Sequence, residues 1–179
     1  MQMGSSVEGA YGQYVIREEL KENMWRAQSC LTQQNVVVKS AEDHLLNKER
    51  RTLRRFGHVP SLRRLIDEVA EPPMLVLEYL ETNLLTESGE KKLQPSDVKI
   101  VAKTVLQALA ALHEEGIVHT VLRRTIPDIK PDNILVNRGD HNHRFSDIKL
   151  ADCGDSTHID DVVEDHIIWT GGLLLPSDH

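Results

Sequence analysis

Apolar and polar positions along this chain switch between two periods. Tyr14-Val15-Ile16 gives the first strand signal, and Val36-Val37-Val38 is a β-branched run bounded by polar residues. Such a run predicts a strand buried on both faces, with Lys39 at its edge. Over 41–56 the spacing becomes helical: Leu45, Leu46, Leu53 and Phe56 recur on one side, Glu49 lies on or beside that side, and Gly57 is placed to end the helix. Residues 75–80 read as a second buried strand, followed over 81–97 by a polar connection containing Gly89 and Pro95.

The clearest helix comes next, with Ser96 as candidate N-cap, a stripe of Val98, Val101, Val105, Leu109 and Leu112, and Gly116 at its end. Ile134-Leu135-Val136 and Ile148-Lys149-Leu150 are short strands joined by a polar hairpin connection over 137–147. Residues 1–13, small and polar, read as a flexible lead-in. A division falls near residue 82, and no internal repeat interrupts the pattern.

A length of 179 residues suits one domain or two small lobes. With 28 acidic against 21 basic side chains the net charge is -7, which argues against nucleic acid or an anionic membrane as main partner. The basic run Lys48, Arg50, Arg51, Arg54, Arg55 is then read as the solvated face of a helix. Cys30 and Cys153 are far apart and outside any C-x-x-C spacing, so a reducing, intracellular setting is expected. The amino-terminal stretch has no signal-peptide pattern, and no run approaches the roughly 20 apolar residues that span a bilayer. His141 and His143, near Asp140 and Asp147, read as loop residues in preference to a metal cluster.

The chemistry is concentrated in two strings, Asp128-Ile129-Lys130-Pro131-Asp132-Asn133-Ile134-Leu135-Val136 and Ile148-Lys149-Leu150-Ala151-Asp152-Cys153-Gly154. The order strand-Lys, helix-Glu, apolar strand, long helix, Asp-x-x-x-x-Asn, strand, Asp-x-Gly resembles the eukaryotic protein kinases over roughly 14–158, with Lys130 in the serine/threonine-directed form. The resemblance implies an α+β, two-lobed fold: a small lobe over 14–82, part of a large lobe over 83–158, and a tail over 159–179 outside the family pattern. It implies ATP and magnesium as cofactors, a protein substrate, and transfer of the γ-phosphoryl group to a hydroxyl. In that scheme Asp128 is the base, Lys130 assists transfer, and Asn133 and Asp152 hold magnesium. Lys39 contacts the phosphates and Glu49 pairs with it, while Glu78 and Leu80 lie in the hinge, where backbone groups hold adenine.

Three departures mark the chain. Where the family has a glycine-rich loop stands Leu20-Lys21-Glu22-Asn23-Met24-Trp25-Arg26-Ala27, with Lys21, Asn23 and Arg26 at the glycine positions. Val121-Leu122-Arg123-Arg124-Thr125-Ile126-Pro127 separates His119-Thr120 from Asp128, as an insertion would, and Thr120 replaces an arginine. After Gly154 only 25 residues remain, without an Ala-Pro-Glu triplet, which implies an incomplete large lobe. The alternative to an active kinase is a pseudokinase that binds nucleotide or a partner protein without turnover.

Overall fold

The computed structural model describes residues 1–119, 129–152 and 156–158. Six antiparallel strands form the first sheet: β1 (Ser6–Glu8), β2 (Gln13–Lys21), β3 (Met24–Ser29), β4 (Asn35–Lys39), β5 (Leu65–Val69) and β6 (Met74–Glu78), in the order β1-β2-β3-β4-β6-β5. The triple valine of β4 is buried throughout because the sheet is covered on both sides. Val36 and Val38 join Tyr14, Ile16, Trp25, Ala27, Val69, Met74 and Val76 in one core. Val37 points the other way, with Leu75 and Leu77, into a larger core. Each valine, leucine, isoleucine or methionine side chain so removed from water contributes roughly 1.5–3 kcal/mol.

Helix α1 (Asp43–Arg55) lies on the second face. Its buried positions are Leu46, Glu49, Thr52 and Leu53, with Phe56 just beyond its end, so the apolar stripe carries a carboxylate at its centre. Leu45, expected within that stripe, is only half-buried. Helix α3 (Pro95–Glu114) begins two residues earlier than its sequence suggests: Gln94 is the N-cap, Pro95 opens the helix, and the Asp97 carboxylate accepts the Gln94 N–H at 2.9 Å. Ser96 lies inside the helix. Its buried stripe is Val101, Val105, Ala108 and Leu112, while Val98 is 49% exposed. The buried positions follow one another at spacings of four, three and four, which keeps a single face toward the core, and Leu109 packs half-buried beside Ala108.

The connection expected over 81–97 contains two elements, β7 (Thr82–Asn83) and α2 (Leu84–Glu90). Asn83 caps α2 by accepting the Thr86 N–H at 2.9 Å, and Leu84 is buried. Strand β8 (Ile117–His119) pairs with β11 (Ser156–His158), and a 3-10 turn at Pro131–Asn133 leads into β9 (Ile134–Arg138), which pairs with β10 (Phe145–Leu150) on one side and β7 on the other. The larger core runs without interruption from Val37 and Leu46 through Val105 and Leu112 to Val136 and Leu150. It joins the six-stranded sheet to the helical part of the chain.

The amino-terminal stretch is ordered into the sheet, which corrects its reading as a flexible lead-in. β1 pairs Ser6 with Val15, Val7 with Tyr14 and Glu8 with Gln13. The tight turn that follows gives Gly9 N–H to Gly12 C=O at 2.8 Å.

Candidate functional site

Strand β4 ends at Lys39, and the next elements determine what its ammonium meets. Because Glu49 sits on the buried stripe of α1, its carboxylate points at the sheet, and Lys39 Nζ lies 2.7 Å from Glu49 Oε2. The same nitrogen donates to Asp152 Oδ1 at 3.0 Å, across 113 residues of sequence. Glu49 is almost fully buried, Lys39 largely so, and the Asp152 side chain is 41% exposed toward the cleft. Burial alone depresses the Lys39 ammonium, but the two carboxylates and their hydrogen bonds outweigh it, and the group is raised above the usual lysine range.

Asp152 has φ 62, a left-handed conformation that ordinary residues adopt at some cost and that Asp tolerates better than most. The turn before it is tied to the other string of chemistry, since Ala151 donates its N–H to the Asn133 carbonyl at 2.9 Å. Asn133 is buried, and its own N–H reaches the Lys130 carbonyl at 2.9 Å. Lys130 Nζ stands 3.7 Å from the Asp132 carboxylate. The structure thus brings Lys39, Glu49 and Asp152 into direct contact and ties Asn133 to the residue before Asp152. Asp128, expected as base, lies outside the described residues, as do the 121–127 segment, Cys153, Gly154 and the tail.

A cavity of about 400 Å³ opens on this cluster. Lys39, Glu49 and Asp152 form its floor with Leu45, and the β2–β3 turn residues Lys21, Glu22 and Asn23 form its rim. That turn is tight: Lys21 pairs with Met24, Asn23 has φ 61, and the Ser40 N–H donates to the Asn23 carbonyl at 2.9 Å, tying the rim to the end of β4. Of the two cations at glycine positions, Arg26 is committed to Glu18 at 2.7 Å, whereas Lys21 lines the cavity. The donor set fits a magnesium-bound polyphosphate: a carboxylate and an amide oxygen are hard ligands, and lysine is a compact cation for phosphate. Among the described residues no group of three or more His, Cys, Asp or Glu converges as a metal site, so phosphate oxygens would have to supply further ligands.

Glu78 has partners that its sequence does not announce. Its carbonyl accepts Arg63 Nε at 2.8 Å, its N–H donates to the Arg64 carbonyl at 3.0 Å, and its carboxylate lies 2.9 Å from Arg64 and 3.3 Å from Lys149. Leu80 is buried at the end of the same segment. Arg63 was missed by sequence reasoning. It is fully covered behind the cluster, where burial pushes its guanidinium down to about 10 against the opposing charges of Glu49, Glu78 and Asp152. Its only signal is position: it follows buried Leu62, and the two apolar residues Leu62 and Leu65 bracket an Arg pair in which Arg63 turns inward and Arg64 outward.

A lysine bridging a helix glutamate and a loop aspartate thus lies beside a cavity in an α+β fold. Comparison with known families narrows the fold: the protein kinase domain profile matches residues 7–170, and the chain belongs to the protein kinase family. Cyclin-dependent kinase F-4 from Oryza sativa subsp. japonica is 31% identical over 143 residues, covering 74% of this chain and 28% of that protein. Calcium/calmodulin-dependent protein kinase type 1 from Macrobrachium nipponense is 29% identical over 173 residues, 94% of this chain and 46% of the relative. The cAMP-dependent protein kinase catalytic subunit of Dictyostelium discoideum is 27% identical over 157 residues, 86% and 22%. The chain therefore spans less than half the length of each of these relatives. No helix among the described residues is long and apolar enough to cross a membrane.

Proposed function

We propose that this chain binds magnesium-ATP in the cleft between the β2–β3 turn and the Lys39 cluster and transfers the γ-phosphoryl group to a serine or threonine hydroxyl of a protein. The observation that carries the reading is the Lys39 ammonium held between Glu49 at 2.7 Å and Asp152 at 3.0 Å. An ammonium so fixed is aimed without further ordering cost at a phosphate entering the cavity. In this reading Asp152 and Asn133 hold magnesium, whose role is to neutralise charge on the phosphates. Lys39 orients the nucleotide, Lys130 contacts the transferred group, the backbone of Leu80 and the second lone pair of the Glu78 carbonyl meet adenine, and Asp128 takes the hydroxyl proton. In this reading the small lobe takes in 14–82 together with β1 at the edge of its sheet, and the large-lobe portion 83–158, in a reducing, intracellular setting that suits the exposed Cys30 thiol.

A second reading, a pseudokinase that binds nucleotide without turnover, is favoured by the rim. Side chains at Lys21 and Asn23 replace the bare backbone that a glycine loop would offer to phosphates, and seven residues precede Asp128 where none are expected. A thermal melt of the full chain with and without magnesium-ATP tests the shared step. Ligand at 100 times its Kd stabilises by roughly 2.7 kcal/mol, and no shift rejects both readings. Comparing phosphate transfer by the wild type and Asp128→Asn separates them: activity that falls sharply in the variant supports the enzyme, and equal activity removes Asp128 as base.

A further inference from the structure

The six-stranded sheet has β1 and β5 at its opposite edges, yet the β1–β2 turn reaches across and fastens to β5. The anchor is Asp67, fully buried on β5. Its Oδ1 accepts the Ala10 N–H at 3.0 Å and the Glu68 N–H at 2.7 Å, while Oδ2 accepts the Tyr11 N–H and the Tyr14 hydroxyl, each at 2.9 Å. The Ala10 N–H is shared with the Glu68 carbonyl, also at 3.0 Å. The fit leaves no room at Gly9, where a Cβ would stand 2.3 Å from Asp67 Oδ2.

Glu68 extends from this anchor in the other direction, to the helix that carries Glu49. Its Oε1 accepts a hydrogen bond from Arg54 Nε at 2.7 Å, and its Oε2 lies 2.8 Å from Arg50 Nε, an ion pair whose N–H is not aligned on the oxygen. Arg50 is the residue after Glu49. Between the turn and the helix lies a cavity of about 690 Å³, bounded by Ala10 and Tyr11 on one side and by Asn47, Arg50 and Arg54 on the other. With that space between them, the turn meets α1 chiefly through Glu68.

We propose that Glu68 is a positioning residue: it couples the amino-terminal turn, fastened on Asp67, to α1, and so holds Glu49 against Lys39 in the nucleotide-competent arrangement. The inference rests on the reading of the cleft as a nucleotide site. It makes the turn a regulatory strap, since releasing it frees β5, then Arg50 and Arg54, then Glu49. Coupling of this kind is reciprocal, so nucleotide in the cleft must also protect the strap.

Hydrogen exchange and magnesium-ATP titration of the full chain test this together. In Glu68→Gln the amides of Ala10 and Tyr11 remain protected by Asp67, the amides of 43–55 exchange faster, and the magnesium-ATP Kd rises by about fivefold or more, the lower end of typical coupling. Arg54→Gln moves both readouts the same way, and the double variant is no worse than Glu68→Gln because both remove one interaction. Asp97→Ala, which loosens the start of α3 without touching α1, lowers global stability and leaves Kd unchanged. Unaltered exchange over 43–55 in Glu68→Gln overturns the proposal, as does loosened exchange with an unchanged Kd. A wild type that binds no magnesium-ATP overturns the reading of the cleft instead, and exchange over 43–55 still decides whether Glu68 holds α1.

Discussion

Two carboxylates stabilise Lys39 as a cation against its burial, and Lys39 in direct contact, with Arg63 nearby, stabilises Glu49 as a buried anion. Removing one member of such a pair leaves an uncompensated buried charge, which is far more harmful than losing the attraction itself. Lys39→Met is therefore expected to destabilise the chain by roughly 3 kcal/mol, read as a lower midpoint in denaturant, while Glu49→Gln costs less because the amide carries no charge. Equal losses in the two variants would show that Arg63, rather than Lys39, compensates Glu49. The same residue scale sets the pH response. The Tyr14 phenol is pushed well above its ordinary value by burial, then by its hydrogen bond to Asp67 and that carboxylate's charge, and Lys39 is raised as well. Both groups keep in the folded state a proton that the unfolded chain releases near pH 10, so their stabilisation is complete below that pH and is lost as pH rises beyond it. Melting temperature is expected to fall above about pH 10. Tyr14→Phe should fall less steeply there, and an identical alkaline slope in that variant would count against the assignment.

At the scale of elements, legibility follows from whether a residue's partners are near or far in sequence. The β4 valines and the α1 stripe were readable because period and burial are local properties, and Glu49 was readable because Leu46 and Leu53 flank it on one face. The strap was not: Gly9, Ala10 and Tyr11 form a small, polar stretch, and what orders it is a carboxylate 56 residues from Tyr11. Arg63 was hidden for the same reason, as its burial comes from Glu78 and Leu150, on two other strands. Helix phase was hidden more mildly, since Ala108 and Leu109 are adjacent and only packing decides which faces inward. Gly9 converts the strap's order into a test. An added methyl must displace Asp67 or the turn, and forcing atoms into a packed site costs about 1–3 kcal/mol. Gly9→Ala should lower the melting temperature and speed exchange at Ala10 and Tyr11, whereas Gly89→Ala, inside α2 and with nothing within 4 Å of its methyl, should raise the melting temperature slightly and leave exchange at Ala10 and Tyr11 unchanged.

Across the whole molecule, one core joins the sheet, α1, α3 and the β9–β10 hairpin, so the cleft is framed by elements that share a single packed interior. The charges around the cavity then decide what can enter it. Lys21 and Lys39 face Glu22, Glu42, Glu49 and Asp152, two cations against four carboxylates and a formal balance of -2. A free polyphosphate would meet repulsion there, and the glycine amides that elsewhere cradle phosphate are replaced by side chains. A divalent cation held by Asp152 would reverse that balance, because it would neutralise the ligand and add to the Lys39 contact that the carboxylate already has. Nucleotide binding should accordingly depend on magnesium more steeply than the lysines alone would require, with ATP affinity in EDTA falling at least about tenfold, equivalent to 1.4 kcal/mol. Asp152→Asn removes one of the four negative charges, so it should weaken magnesium-ATP binding while improving binding of metal-free ATP. That crossing of effects separates a metal ligand from a residue that merely supports the fold, for which both affinities would fall together. It is measured by titrating wild type and variant with ATP in magnesium and in EDTA, and parallel losses in the two conditions would remove Asp152 as a metal ligand.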